Sequence, residues 1–409
     1  MNLHLKNIGK LKDISVQLNG ITVIAGENNT GKSTLNKTLF CILNSGYELQ
    51  KCIEKEKLTS IKEILSATYR LQALMFPLGD AIEIFSKRIL NGQIIDFEKE
   101  VTELFQELSG NKEIKYNLQT AKTKVQQILA LSDTDIYKII LNNIINSEFN
   151  GQLVDVRSTE AGEICLQYGS QTICINITDT GVTYVSDTIN SIAQVVYLDD
   201  PDVLSDAQYA YLYVNSYFSH KTHLKSLLIK QSENITAEAV ASESLNKILN
   251  KLSTVCDGSV ERGYTFGFGY KSSFSDKALS ISNLSTGLKT FVIIKTLLLN
   301  NTISFGSTVI LDEPETHLHP EWQLVLAEII VLLHKEFNIH VILTTHSPYF
   351  LRSIEVFSDK YEVTSKCNFY LAENDNGYAS FTDKTKDRED IYKKLAKPLQ
   401  DLEDILWSI

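Results

Sequence analysis

Apolar and polar residues alternate over positions 3–8 and 11–18, on either side of Gly9-Lys10, and this period of two predicts a β-hairpin. Ile21-Thr-Val-Ile-Ala25 is a short apolar strand that runs directly into a glycine loop. Leu35, Leu39, Ile42 and Leu43 then recur at helical spacing and predict a helix over 33–44. From 47 to about 148 helix formers dominate, with breaks expected at Pro77-Leu-Gly79, Asn91-Gly92 and Gly110-Asn111. No heptad pattern persists there, so the stretch reads as a compact helical insertion and not as a coiled-coil arm. Ile164–Tyr168, Thr172–Ile177 and Val182–Val185, separated by Gly169-Ser170 and Asp179-Thr180-Gly181, predict a β-meander. It leads to Val195–Leu198 and the turn Asp199–Asp202. Helical texture returns over 203–256, with a tyrosine-rich run from Tyr209 to Tyr217. Those tyrosines are not interleaved with basic residues, which favours packing over base stacking.

From 280 the pattern becomes helix 288–299, strand 307–311, helix 320–336, strand 339–344 and a short helix at 348–353. Strands alternating with helices predict a parallel sheet covered on both faces, which the strand at 21–25 would join. The expected division is a head from 1–44 and 258–409, a helical insertion 45–150, a β-meander of the head 151–198, and a helical subdomain 199–257.

Composition adds limits. The 409 residues carry 39 basic and 50 acidic side chains, a net charge of −11, whereas nucleic-acid-binding domains are usually basic. A local basic groove is still allowed. The opening MNLHLKNIGK has no apolar core of signal-peptide length. The most apolar run, Phe291–Leu299, is broken by Lys295 and is about half a membrane span, so a cytoplasmic location is expected. The cysteines at 41, 52, 165, 174, 256 and 367 form no CxxC pair and are expected to be thiols, without zinc or disulfides.

Gly26-Glu-Asn-Asn-Thr-Gly31-Lys32-Ser33 fits G-x-x-x-x-G-K-[ST] between a predicted strand and a predicted helix. Such glycines let backbone N–H groups wrap phosphate oxygens. Asn28, Asn29, Thr30, Gly31, Lys32, Ser33 and Thr34 are therefore candidate nucleotide ligands, with Lys32 placing charge at the β- and γ-phosphates and the Ser33 hydroxyl on Mg²⁺. The apolar strand Thr308–Leu311 ends in Asp312-Glu313-Pro314. Asp312 would hold Mg²⁺, usually through water, and Glu313 would orient or deprotonate an attacking water. Leu284-Ser285-Thr286-Gly287-Leu288-Lys289 places a good N-cap before a helix; it is either an anion site or a plain cap. Val341–Thr345 ends in His346, which taken alone is more often packed or solvated than catalytic.

The four elements occur in an order that resembles the ABC ATPase superfamily: Walker A, signature, Walker B with its D-loop, and switch histidine. LSTGLKTF, LDEPETHLHPEW and TTHSPYFL look most like its soluble branch of SMC, RecF and overcoming-lysogenization-defect proteins, the AAA-labelled bacterial group. The resemblance covers 1–44 and about 281–353. It implies an α/β fold, an ABC-type ATPase head with a mixed sheet and P-loop core, carrying a large, mostly helical insertion with a β-meander. It also implies that two heads sandwich two ATPs. Lys32 and Ser33 of one head would face Ser285 and Gly287 of the other, and His346 would contact the γ-phosphate. A homodimer or a higher even-numbered assembly is therefore expected.

There are departures. Lys289 stands where a glutamine-like residue is common, His319-Pro320 closes the D-loop in place of an aspartate, and no Q-loop glutamine can be assigned. His317 and His319 fit a D-loop contact better than a zinc pair. A TOPRIM nuclease, which some relatives carry, needs a strand glutamate and a later D-x-D cluster, and Glu373 has no such cluster behind it. After Pro348 the pattern predicts strand 368–371, a turn at 374–377, strand 378–381 and a helix from Glu389. The expected function is an ATP-hydrolysing switch that controls a separate nuclease or toxin in anti-phage defence. The alternative is a RecF- or SMC-like repair ATPase that binds DNA itself. A membrane-transporter subunit is disfavoured by the insertion.

Overall fold

The computed structural model describes residues 1–70, 80–109, 118–190, 192–206, 219–230, 243–262 and 268–408. The chain falls into two compact units: Met1–Tyr47 with Leu141–Ile409, and Glu48–Ile140.

Among the described residues, the larger unit is built on an eleven-stranded mixed sheet. In chain order its strands are β1 (Asn2–Ile8), β2 (Leu11–Gln17), β3 (Ile21–Gly26), β4 (Gly162–Tyr168), β5 (Gln171–Thr178), β6 (Gly181–Val185) and β7 (Val195–Leu198). A separate three-stranded sheet follows, β8 (Ser259–Arg262), β9 (Phe268–Lys271) and β10 (Leu279–Ser280). The main sheet resumes with β11 (Thr308–Asp312), β12 (His340–Thr345), β13 (Cys367–Asp375) and β14 (Tyr378–Asp383). Its spatial order is β6-β5-β4-β1-β2-β14-β13-β3-β12-β11-β7. β7, β11, β12, β3 and β13 are parallel neighbours. β3, β7 and β11 are buried along their whole length, as strands covered on both faces must be. Helices Lys32–Gly46, Thr286–Leu299, Pro320–Phe337 and Pro348–Lys360 bury apolar faces in this unit.

The hairpin and the meander form as the alternation predicts. β7, however, leaves the meander and pairs at the opposite edge of the sheet, beside β11. The helix expected at 348–353 continues to Lys360, because Phe350, Leu351 and Ile354 give it a buried stripe. β8–β10 lie where the periodicity had suggested no element. The breaks at Pro77–Gly79 and Gly110-Asn111 and the tyrosine run Tyr209–Tyr217 lie outside the described residues.

One expectation is corrected. Cys165 and Cys174 are not free thiols but a disulfide across β4 and β5, with Cα atoms 4.2 Å apart. They are directly opposed in the antiparallel register, which brings their side chains together without backbone movement. Spacing along the chain does not reveal that pairing. Cys41, Cys52, Cys256 and Cys367 are thiols.

The smaller unit, Glu48–Ile140, is helical. Ile61, Leu65, Phe85, Val101 and Phe105 make its core, with the Tyr69 ring 5.2 Å from that of Phe105. Asp96 caps helix Phe97–Leu108 by accepting from the Lys99 N–H. Among the described residues, no helix is long and apolar enough to cross a membrane.

Candidate functional site: a phosphate loop with an acid–histidine pair

β3 ends at Gly26, and the chain passes through Asn29 (φ 64°) and Gly31 (φ 79°) into helix Lys32–Gly46. Gly31 is required twice over. Its backbone is left-handed, and a Cβ there would lie 2.6 Å from Leu11 Cδ2. As N-cap it supplies no side-chain acceptor, so the first-turn N–H groups stay free for an anion, favoured by the helix dipole. The buried Lys32 ammonium folds back to donate to the carbonyls of Gly26 (3.1 Å) and Glu27 (2.7 Å). Burial lowers its pKa, while the carboxylates of Glu313, Asp312, Glu315 and Glu27 push it back up. Thr30 Oγ1 donates to Glu27 O at 2.8 Å, and Lys10 Nζ holds Asn29 Oδ1 at 2.6 Å, so the loop is braced from both sides.

The acids stand at the carboxyl ends of the parallel strands, where open α/β sheets bind ligands. Asp312 Oδ2 accepts from Tyr197 Oη at 3.1 Å, and Oδ1 accepts from the Thr344 hydroxyl and from Asn36 Nδ2 at 3.4 Å. Glu313 has left-handed backbone (φ 49°), unusual for a side chain of its size, and its N–H donates to Thr344 O at 3.2 Å. Strain of this kind, of order 1–3 kcal/mol, persists where surrounding contacts fix it. The twist directs the Glu313 carboxylate to His346, with Oε1 and Nε2 2.5 Å apart. That hydrogen bond, followed by the charges of His346 and Lys32, holds the Glu313 pKa below the ordinary glutamate value despite partial burial.

A third acid, Glu315, was passed over by the motif reading, although it stands in the same Asp312-Glu-Pro-Glu315 run. It is 5% exposed; its Oε1 accepts from the Thr345 hydroxyl and, at 3.2 Å, from the His346 N–H. Burial raises its pKa. Glu315 thus fixes the backbone that carries His346.

Two hollows meet here. A cleft of ≈580 Å³ is lined by Lys10, Asn28 to Thr34 and Glu313, and also by Gln152 and Val154 to Arg157. Arg157 is held by Asp155 (2.8 Å), by the Gly377 carbonyl (2.9 Å) and over the Tyr378 ring (4.1 Å). A second chamber of ≈280 Å³ joins Ser33, Asp312 and Glu313 to Asp199, Thr290 and His317. A further groove along His4, Ser15 and Cys165 contains none of the phosphate-loop residues.

Lys32, Ser33, Asp312, Glu313 and His346 are therefore gathered at one place. Ser285 and Gly287 line neither hollow. Ser285 is exposed and caps helix Thr286–Leu299, accepting from the Leu288 N–H at 3.3 Å. Gly287 is buried, and a Cβ there would meet the His317 carbonyl at 2.7 Å. His319 caps helix Pro320–Phe337. Lys289 reaches Asp202 at 2.7 Å, tying the start of helix Thr286–Leu299 to the turn after β7. Among the described residues no group of three His, Cys, Asp or Glu is arranged to hold a bare metal ion. The oxygen donors of Ser33 and Asp312 in one chamber suit a hydrated magnesium ion, which keeps most of its waters.

Residues 197–352 match a family model described as "AAA domain, putative AbiEii toxin, Type IV TA system". Solved structures similar to the chain include an SMC head domain from Thermotoga maritima (12% identity, 93% of this chain and 97% of that one, TM-score 0.39). Another is an Smc head with an extended coiled coil bound to the C-terminal domain of ScpA, derived from Pyrococcus furiosus (11% identity, 99% and 98%, TM-score 0.43). A third is the ADP conformation of an ATP-binding cassette of an ABC transporter (13% identity, 97% and 96%, TM-score 0.36). The family match over 197–352 takes in β7, β11 and β12 with Asp312, Glu313 and His346, and it joins a parallel core β7-β11-β12-β3-β13 in which the glycine loop follows β3, an α/β arrangement of the P-loop kind.

Proposed function

We propose that the chain binds ATP with Mg²⁺ at Gly26–Thr34 and hydrolyses it, using Glu313 and His346 as the reacting pair. The observation that carries this reading is the Glu313–His346 contact at 2.5 Å, beside Lys32 and at the mouth of the phosphate loop. Loop amides from Asn28 to Thr34 cradle the phosphates, and Lys32 turns from the loop carbonyls towards the β- and γ-phosphates. Bound at Ser33 and Asp312, Mg²⁺ supplies charge neutralisation on the phosphates. Glu313 orients the attacking water and accepts its proton. His346 donates to that carboxylate and, with ATP bound, lies within reach of the γ-phosphate.

Ser285 is exposed at a capped helix N-terminus away from the cleft of its own chain. This supports completion of the site by a second copy, whose Ser285 and Gly287 face the γ-phosphate. The resulting ATP-dependent dimer controls a separate effector, a nuclease or toxin, in anti-phage defence. The toxin–antitoxin wording of the matched family and the separate helical unit Glu48–Ile140 both support that role. The test is sizing chromatography of Glu313→Gln with and without ATP, followed by co-purification with the products of neighbouring genes. A dimer with ATP, together with one ATP-dependent partner, is expected. A protein that stays monomeric with ATP overturns the sandwich. Lone protein that cleaves DNA with Mg²⁺, and loses this on Lys32→Ala, overturns the separate effector. Tight, salt-sensitive duplex binding by the lone protein replaces it with the repair reading.

A further inference from the structure

Helix Glu389–Ser408 changes surroundings half-way along. Its root lies on the larger unit. Ile391 is buried, Tyr392 and Leu395 pack against the core that includes Ile354 and Phe369, and the Tyr392 hydroxyl donates to Glu355 at 2.7 Å. Pro398 follows, with no N–H to give the carbonyl four residues back. Every residue from Ala396 to Trp407 is exposed. Tyr392, Leu395, Leu399, Leu402 and Leu406 succeed one another at spacings of 3, 4, 3 and 4. That is the seam of a two-stranded coiled coil, narrower than the stripe of a helix lying on a globular core. The larger unit covers the first two positions. The last three are leucines left 64%, 64% and 69% exposed, with Trp407 beside them at 86%. Contiguous apolar surface of this kind marks an interaction site.

The charges of the helix say what covers the seam. Lys393, Lys394 and Lys397 stand at its root, and Asp401, Glu403 and Asp404 on its outer turns, where no base follows Lys397. Such a helix is its own complement when two copies run antiparallel. Leu399 of one copy then lies opposite Leu402 of the other, Leu395 lies opposite Leu406, and Lys397 comes level with Asp404. A two-fold axis makes each of these contacts twice. Parallel pairing would instead set acids beside acids and lysines beside lysines. The three seam leucines and Trp407 expose on the order of 500 Å² per copy, so a pair covers about 1,000 Å², the lower limit of a specific interface.

We infer that helix Glu389–Ser408 is a self-association surface, on which two copies of this chain pair antiparallel through Leu399, Leu402 and Leu406 without nucleotide. This contact is separate from the proposed ATP sandwich and does not rest on it. The experiment is sedimentation velocity of nucleotide-free, full-length wild type and Lys32→Ala over a concentration series. Both should dimerise with a Kd on the order of 10 µM, as suits so small a contact. Leu402→Asp puts a charge in the seam and should weaken the dimer by at least about tenfold while circular dichroism shows a folded chain. Should it not fold, Leu406→Ser is read by the same criterion. Asp401→Lys with Asp404→Lys sets like charges against the lysines of the other root and should weaken the dimer by about threefold or more at low salt. A chain still monomeric at about ten times the expected Kd, or a dimer indifferent to Leu402→Asp, overturns the pairing. A dimer undiminished by the acid reversals overturns the antiparallel arrangement. A dimer that forms only with ATP and vanishes in Lys32→Ala belongs to the sandwich and overturns the inference, as does a monomer that pairs this helix with a different protein. ATP-driven dimerisation is read in Leu402→Asp, so that the two contacts stand or fail separately.

Discussion

Replacing Glu313 by Gln tests the centre of the site. The amide keeps the size of the side chain but removes the acceptor for a proton and the charge facing His346 and Lys32. Loss of a positioned general base costs about 10²–10⁴ in rate, equivalent to roughly 3–5 kcal/mol at 1.36 kcal/mol per tenfold. Nucleotide binding should hold or strengthen, because one negative charge near the γ-phosphate is gone. Single-turnover hydrolysis and analogue binding separate the two effects. His346→Ala should slow the reaction less, and the double variant should be scarcely slower than Glu313→Gln, since groups acting as a unit are not additive. The pH profile gives a second readout. Glu313 is held below the usual glutamate pKa chiefly by the His346 hydrogen bond, so it is ionised at neutral pH and the rate falls only in acid. Removing His346 lets that pKa rise and moves the acid limb to higher pH. Glu313→Gln within about threefold of wild type, or a double variant slowed by the product of the two single effects, refutes the pair as the reacting unit.

Other outcomes are equally direct. Gly31→Ala forces a Cβ onto Leu11 and strains a left-handed backbone by about 1–2 kcal/mol, so affinity for an ATP analogue should fall by tenfold or more. In the smaller unit, Phe105→Ala empties the core beside Tyr69 and should cost about 3–5 kcal/mol, read by urea unfolding of the full chain. Burial, with the His220 charge second, lowers the His223 pKa to about 4 from 6.5. His223 is neutral in the folded state, so its contribution is full above pH ~6.5 and is lost as pH falls towards 4, by up to about 3 kcal/mol. His220 has a raised pKa and acts in the opposite sense, with its contribution lost as pH rises. Urea midpoints from pH 7.5 to 4.5 should fall less steeply in His223→Asn than in wild type.

Local rules determined much of this protein. The phosphate loop was legible because a left-handed glycine, a lysine and a helix start must be contiguous to wrap an anion, and Gly26–Ser33 has them in order. The hairpin, the meander and the acid pair after β11 were legible because period and strand ends are properties of neighbouring residues. Tertiary structure alone decided the rest. The Cys165–Cys174 bond depends on register between strands, and β7 reaches β11 only because the chain crosses the whole sheet. That crossing sets Asp199 beside Asp312, 113 positions apart by their numbers (312 − 199), and links both through Tyr197 and His220. His346, ambiguous as one residue in the sequence, acquires a partner because β11 and β12 are neighbours and Glu313 is twisted towards it. Parallel pairing carries no short-range signal, since the partner strand can lie anywhere along the chain; the chemistry it assembles is visible only once the sheet is formed.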